Sequence, residues 1–289
     1  ARAVSAPRAD AAAAPRPRLS VAMICCNEAR IIDRALASVA FADEIVVVDS
    51  GSTDGTLEIA RRHTPHVYQH PWLGYAAQKN LAIERTRGEW ILSLDADEIV
   101  EPDLAAEIQA IVAGPSPFVA YRIPRKLVFL GRVIRHGGWY PDLNLRLFRR
   151  GAGRFPPRRV HEHLRVEGPV GRTRGALRHE SHPTLEAYLD TMNRYSTLAV
   201  EEMAAGGGIP RWRVSAPALL LRPAATFLYR YLVLGGFLDG RPGLILNLLH
   251  SGYVLAKYAK AYERLLGVGA AAPGAGREAA APLTPAGRG

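Results

Sequence analysis

An α/β architecture is predicted for this chain of 289 residues: a Rossmann-like, mixed and mainly parallel sheet with helices on both faces, plus a C-terminal helical appendage. Two short apolar runs, Glu44-Ile-Val-Val-Val-Asp49 and Trp90-Ile-Leu-Ser-Leu-Asp95, each pass straight into carboxylates. Runs of Val, Ile and Leu bounded by turn residues suit strands buried on both faces of a parallel sheet. These strands alternate with helical patterns, the order expected of βαβ units.

Leu19–Cys25 reads as the first strand, followed by a helix from about Glu28 to Val39. Glu44–Val48 is the second strand. The turn Ser50-Gly51-Ser52-Thr53 leads into a helix containing Leu57, Ile59 and Ala60, with Thr53 or Asp54 as its cap. Val67–Gln69 is a short strand, Tyr75–Arg85 a helix carrying Gln78, Lys79 and Asn80, and Trp90–Leu94 the next strand. Pro102 stands in the first turn of a helix that reaches Ile111. Further on, Leu219–Leu238 is rich in Leu, Phe and Tyr but interrupted by Arg222, Pro223 and Arg230. In the last helix Leu255, Tyr258, Ala259, Tyr262 and Leu266 project to one side, and Lys257, Lys260 and Arg264 to the other. No stretch reaches the roughly 18 uninterrupted apolar residues of a membrane span. Residues 206–268 are therefore read as helices lying on an anionic membrane surface; the plainer alternative is that they pack on the catalytic domain or form a dimer interface. Residues 1–18, rich in Ala, Arg and Pro without an apolar core, read as a disordered basic arm and not a signal peptide. Residues 269–289 read as a disordered tail.

Hydrophobic residues make up 48% of the chain and charged residues 22%, which excludes a chain disordered throughout. Cys25 and Cys26 are adjacent in a predicted strand, so they neither staple the fold nor build a CxxC metal site. They read as buried thiols, consistent with a reducing compartment. The net charge of +10 is unevenly placed. Residues 19–120 carry 7 basic and 15 acidic side chains, residues 121–180 carry 15 and 4, and residues 206–268 carry 8 and 2. An acidic half followed by a basic one points to an anionic partner met by the later segments. Nucleic acid, anionic lipid and a phosphorylated glycan all satisfy charge alone. Arg149, Arg150, Arg158 and Arg159 are the densest phosphate-binding candidates.

Open α/β sheets bind their ligands beyond the carboxyl ends of their strands, where Asp49, Asp95 and Asp97 fall. Three acids at one sheet edge repel one another, so a cation or a set of donors is expected between them. In extended backbone, residues i and i+2 point the same way, which lets Asp95 and Asp97 face one cation together. Oxygen ligands of this kind suit Mg²⁺ or Mn²⁺. The plainer alternative is a pair of loop or helix-capping aspartates. Asp49 either organises the tight turn after it or accepts hydrogen bonds from a nucleobase or ribose. Lys79 is either solvated or meets a phosphate.

Ser20-Val-Ala-Met-Ile-Cys-Cys-Asn-Glu28, Val48-Asp-Ser-Gly-Ser-Thr-Asp-Gly-Thr56, Gln78-Lys-Asn80 and Leu94-Asp-Ala-Asp97 together resemble the family 2 glycosyltransferases, inverting enzymes with a GT-A fold. Gly138-Trp-Tyr-Pro-Asp142, Arg146-Leu-Phe148 and Val160-His-Glu162 are similar to one branch, which includes the glucosyltransferases of the lipopolysaccharide inner core. The resemblance runs over roughly residues 19–265 and implies a GT-A domain at 19–205. It implies a UDP-sugar donor met by Asn27, Glu28, Asp49, Gln78, Lys79 and Asp95. It also implies a divalent metal on Asp97, with Asp95 touching ribose or the metal's water shell. The implied acceptor is a phosphorylated, lipid-linked saccharide, and the implied place is the cytoplasmic face of an inner membrane, as a peripheral protein.

Whatever the family, moving a sugar off a diphosphate needs a cation or donors at the leaving oxygens. A carboxylate or His must also deprotonate the acceptor hydroxyl on the opposite face. The base is therefore expected away from Asp95 and Asp97 in sequence, at Asp142 or Glu162. Glu162 is preferred, because it stands between His161 and His163 among many Arg residues, although an ion pair with Arg158, Arg159 or Arg165 is its plainer role. His161 and His163 are candidates for a metal ligand or phosphate donors. Trp139 and Tyr140 either stack on an acceptor sugar or belong to the core, and Arg158 and Arg159 are expected to meet the acceptor. Two other classes fit less of the chain. A sugar-nucleotide nucleotidyltransferase grips triphosphate with a glycine-rich loop after strand one, where this chain has Cys25-Cys-Asn-Glu28. A nucleic-acid-binding protein would use the basic block, but no helix-turn-helix, finger or RNA-binding motif is present, and no nucleic-acid partner is expected.

Overall fold

The computed structural model describes residues 18–156 and 163–267. Apart from Arg18, the arm expected at 1–18 and the tail at 269–289 lie outside the described residues, as do Arg158, Arg159, His161 and Glu162.

The chain begins β1 (Leu19–Cys25), α1 (Ile32–Ala37), β2 (Glu44–Asp49), α2 (Thr56–His63), β3 (Val67–Gln69), α3 (Tyr75–Arg85) and β4 (Trp90–Asp95). β5 (Glu98–Val100) and α4 (Pro102–Ala113) follow, then β6 (Ala120–Phe129), β7 (Arg132–Val133) and β8 (Asp142–Arg149). Short strands β9 (Gly153–Arg154), β10 (Arg165–Val166), β11 (Val170–Arg172) and β12 (Leu177–His179) lead to the helices α5 (Leu185–Ala205), α6 (Ala216–Leu228) and α7 (Gly240–Leu265).

The main sheet runs β3-β2-β1-β4-β8-β6-β12-β5. β1, β2, β3 and β4 are mutually parallel, and β8 joins β4 antiparallel. β2 and β4 are buried at every position, as their unbroken apolar sequences require. Alternate residues serve two cores. Val21, Met23, Val47 and Leu92 pack with Leu36 and Ile108, while Ala22, Val48 and Ile91 pack with Ala82 and Phe148. Helices therefore cover both faces. Register aligns Cys25 with Asp49 and Ile24 with Asp95, which brings both acids to one edge.

α1 is shorter than its periodicity predicts because the amides before it are used elsewhere. Asn27, Glu28 and Ala29 donate to Ser52 Oγ at 2.8 Å, Thr56 Oγ1 at 2.8 Å and Asp54 Oδ2 at 3.1 Å. The N-cap of α2 is Gly55 and not Thr53 or Asp54; Asp54, one residue earlier, accepts from the Thr56 amide at 3.0 Å and from its hydroxyl.

The carboxyl end is a helical assembly in which α7 packs on both α5 and α6. Thr184 caps α5 by accepting from the Ala187 amide at 3.1 Å. α6 passes into a π-helical turn at Tyr229–Val233, and Gly235 (φ 70°) then turns the chain towards α7. Among the described residues no single helix is long and apolar enough to cross a membrane; Ala216–Val233 and Gly236–Leu265 reach that composition only as a pair bent by 73°. The two-sided helix predicted near the end differs in one respect. Lys260 turns towards α5, its ammonium donating to Asn193 O at 2.6 Å, Ser196 Oγ at 2.8 Å and Thr197 Oγ1 at 2.8 Å. Tyr258 and Ala261 pack beside Val200 and Val214, whereas Leu255, Tyr262 and Leu266 stay exposed. Part of the basic face is thus a helix–helix contact.

Candidate active site

The loops after β1 and β2 are sewn together around Asp49. Its Oδ2 accepts from the amides of Gly51 and Ser52, each at 2.9 Å, while Oδ1 takes the Ser52 hydroxyl and the Cys25 thiol. Asp49 therefore organises the turn that follows it. The buried Cys25 thiol is pushed well up by desolvation and by the Asp49 charge, so it is a proton donor here and no nucleophile. Asn27, at φ 57°, accepts from the Thr53 amide at 2.8 Å. Gln78 is fully buried on α3 and donates to Ser50 Oγ at 3.0 Å, with its Oε1 unpartnered.

Asp95 ends β4 inside a buried charge network. Lys79 lies 2.7 Å from its Oδ1 and Arg146 lies 2.6 Å from its Oδ2. Arg146 also meets Glu98 at 2.5 Å, Arg125 meets the same Glu98 at 3.2 Å, and Arg125 holds Asp142 at 2.6 Å. Three cations and three carboxylates alternate through this network. Burial alone would raise the pKa of Asp95, but the Arg146 and Lys79 charges outweigh it and hold the carboxyl far below its ordinary value. Burial likewise works against the Arg146 charge, which Asp95 and Glu98 more than restore.

Asp95 and Asp97 meet different partners. β4 stops at Asp95 and the chain turns through Ala96 and Asp97 before β5, which breaks the alternation that extended backbone would give. Asp97 instead faces His179 at the end of β12. That strand pairs with β5 so that His179 stands opposite Glu98, and the Glu180 amide donates to Asp97 O at 3.0 Å. His179 Nε2 is 3.0 Å from Asp97 Oδ2, both residues being 1% exposed. The contact lacks hydrogen-bond alignment: both Asp97 oxygens and His179 Nε2 are buried without a hydrogen-bond partner. Adjacent ligands of an octahedral cation at about 2.0–2.1 Å stand about 3.0 Å apart, so the pair fits a Mg²⁺ or Mn²⁺ ion. Among the described residues no set of three or more His, Cys, Asp or Glu side chains forms a metal cage. Any ion there completes its shell from substrate and water, as Mg²⁺ commonly does.

The glycosyl transferase family 2 model matches residues 20–161. The chain is also 32% identical to the lipopolysaccharide core biosynthesis glycosyltransferase LpsC of Rhizobium meliloti, over 86% of this chain and 94% of that one. The chain is a family 2 glycosyltransferase. An uncharacterized glycosyltransferase of Rickettsia typhi, RT0209, is 30% identical over 77% of this chain and 81% of its own length. The mannosyltransferase PcManGT from Pyrobaculum calidifontis, solved with GDP-Man and Mn2+, aligns at 18% identity with a TM-score of 0.49, over 86% of this chain and 88% of that chain.

Asp142 opens β8, partly exposed and oriented by Arg125. Tyr140 is half-buried, whereas Trp139 is a core aromatic beside Phe129, Ile134 and Leu246. Arg149 differs from its predicted role. β8 runs antiparallel to β4 and places Arg149 opposite Trp90, where its guanidinium lies 4.5 Å from the indole ring and pairs with Glu89. That end of the sheet is about 17 Å from Asp95 at roughly 3.3 Å per residue, so neither Arg149 nor its neighbour Arg150 serves the acid edge. His179, Glu98 and Arg125 carry no signal that the sequence analysis used, and Arg146 entered it only as part of Arg146-Leu-Phe148, without a role. The signal for the first was His179-Glu-Ser-His182 closing a short apolar run. His182 lies close behind: burial lowers its pKa to about 4, with the neighbouring His179 also lowering it and Asp97 opposing.

Proposed function

We propose that this glycosyltransferase is an inverting, metal-dependent enzyme that transfers a hexose, glucose in the first instance, from a UDP-sugar to a phosphorylated, membrane-linked saccharide of the lipopolysaccharide core. The observation that carries the reading is the buried, unpartnered pair Asp97 and His179 beside the nucleotide-side loops. Asp97 and His179 would hold the cation, which supplies charge stabilisation for the leaving diphosphate. Asn27, Glu28, Asp49 and Gln78 line or shape the loops that receive the nucleotide, and Lys79 and Arg146 keep Asp95 ionised beside them. Glu162 is the proposed general base, with Asp142 as the competing group. Arg158 and Arg159 precede Glu162 and are proposed to meet the acceptor. The named activity of LpsC supports the acceptor class.

The helical carboxyl end is proposed to rest on an anionic membrane, on the cytoplasmic side of the inner membrane. In support, Trp212 before α6, Leu220 and Leu221 on it, and Leu232, Val233 and Phe237 in the turns that follow it all lie exposed. Arg211, Arg213 and Arg222 flank them, and basic residues near an anionic surface contribute about 1 kcal/mol each. The test of the activity is a screen of UDP- and GDP-hexoses that measures nucleoside diphosphate release with and without Mn²⁺. Release of UDP, dependent on metal and on a core-saccharide acceptor, is expected. Turnover of GDP-sugars alone, or equal turnover in chelator, overturns the donor or the metal assignment respectively.

A further inference from the structure

Arg230 is a buried cation that the mechanism above does not use. It lies in the π-helical turn after α6 and is 9% exposed. Its Nε and Nη2 have no hydrogen-bond partner, and it forms no ion pair with a carboxylate among the described residues. Its guanidinium lies 4.5 Å from the Trp139 ring, whose own Nε1 is also buried and unpartnered. His250 packs edge-on against the same indole at 5.4 Å. A guanidinium taken out of water without an anion is expensive, and its pKa is lowered by that desolvation, with only the phenols of Tyr188 and Tyr229 opposing. Burial likewise drives the His250 pKa down to about 4, with Arg230 and Lys257 adding to the fall.

Gly138 is exposed at φ 75°, and a β-carbon on it would stand 3.7 Å from both Nη atoms of Arg230 and 2.9 Å from Leu234 Cδ1. The buried guanidinium thus lies close to an exposed glycine. Trp139 is three residues from Asp142, a span of at most about 11 Å, and Asp142 joins through Arg125 to Glu98, the neighbour of Asp97. A group held at Arg230 is thus within the reach of a saccharide whose hydroxyl faces the transfer site.

We propose that Arg230 and the Trp139 indole N–H form a binding site for an oxyanion, phosphate or carboxylate, carried by the acceptor saccharide. Arg pairs bidentately with either group, and the indole N–H adds a directed donor. The identity of the carrier rests on the acceptor reading given above; the anion site itself does not.

The test uses the full chain and two probes, orthophosphate and acetate, against chloride at equal ionic strength. Thermal melting and the ¹⁵N-indole spectrum are read for wild type, Arg230→Met and Arg230→Lys, with Trp139→Phe assigning the resonance. Phosphate or acetate is expected to shift the Trp139 indole signal saturably and to raise the melting temperature of wild type, and to do neither in Arg230→Met. Whichever probe saturates at lower concentration names the anion. Without probe, Arg230→Met should melt at or above the wild-type temperature, because it removes an unpaired buried charge. A lower melting temperature in Arg230→Met, with no saturable response of wild type to either probe, would mean that the arginine only supports the indole, and overturns the proposal. With acceptor, Arg230→Met should raise the acceptor KM at least tenfold while leaving the donor KM unchanged. Wild type that binds phosphate yet transfers no sugar would sink the acceptor reading and leave the anion site standing.

Discussion

Replacing Arg146 with Met tests whether the buried network holds the acid edge in place. Arg146 is 5% exposed and is shared by Asp95 at 2.6 Å and Glu98 at 2.5 Å. With it gone, Lys79 and Arg125 remain to balance Asp95, Glu98 and Asp142, so the buried cluster carries an uncompensated negative charge. Removing one partner from a buried pair costs about 3–5 kcal/mol. For a chain of this size each kcal/mol lowers the melting temperature by about 2–4 °C, so a fall on the order of 10 °C is expected. The loss should depend on pH. In wild type the pKa of Asp95 is depressed, so its contribution is present above the unfolded value of about 3.9 and disappears as pH falls through the folded one. In the variant the excess charge raises the pKa of one carboxylate of the cluster above its unfolded value. The variant then loses stability as pH rises through that raised value. The gap between the two proteins should therefore be widest at neutral pH and above and narrow in mild acid. Calorimetric melting across pH is the assay, with Arg146→Met/Glu98→Gln as the paired variant expected to recover much of the loss. A melting temperature unchanged at neutral pH, or a gap that widens in acid, would refute the reasoning.

Asp97→Asn and His179→Ala should each lower transfer on the order of 100-fold or more and abolish any rise in melting temperature on adding Mn²⁺, whereas Asp95→Asn should chiefly lower stability. Near wild-type turnover by Asp97→Asn in chelator would remove the metal assignment. Glu162→Gln should keep donor binding, read by calorimetry, and lose transfer; an active Glu162→Gln beside an inert Asp142→Asn would exchange the two roles. In liposome flotation the full chain should rise with anionic vesicles at low salt, and Leu220→Glu/Val233→Glu should not. A wild-type chain that stays with the pellet removes the membrane reading.

The first hundred residues were legible because their signals are local. β2 and β4 are unbroken apolar runs, and the acids at their ends fall where register alone aligns them. The start of α2 was legible for the same reason: Asp54, two residues before the helix, accepts from its first amide. What the sequence hid depends on long-range pairing. Asp95 and Asp97 part company at a turn that the Asp-x-Asp spacing does not announce. His179 reaches Asp97 through a three-residue strand too short to carry a periodic pattern. Arg149 was legible as a charge but not as a position, since only the antiparallel pairing of β8 reveals which end of the sheet it occupies. Arg230 looks like an interruption in an apolar segment, when its guanidinium lies buried against the Trp139 indole.

β12 enters the sheet between β6 and β5, parallel to the first and antiparallel to the second. On the ribosome this order has a temporal meaning. Asp97 is made early, with the strands that flank it, but His179 is translated only after β6 and β8 have been made. At about 5–20 residues per second the interval is roughly 4–16 s. A nascent chain thus contains the loops after β1 and β2 well before the Asp97–His179 pair can close, and any chain cut short ahead of β12 never closes it.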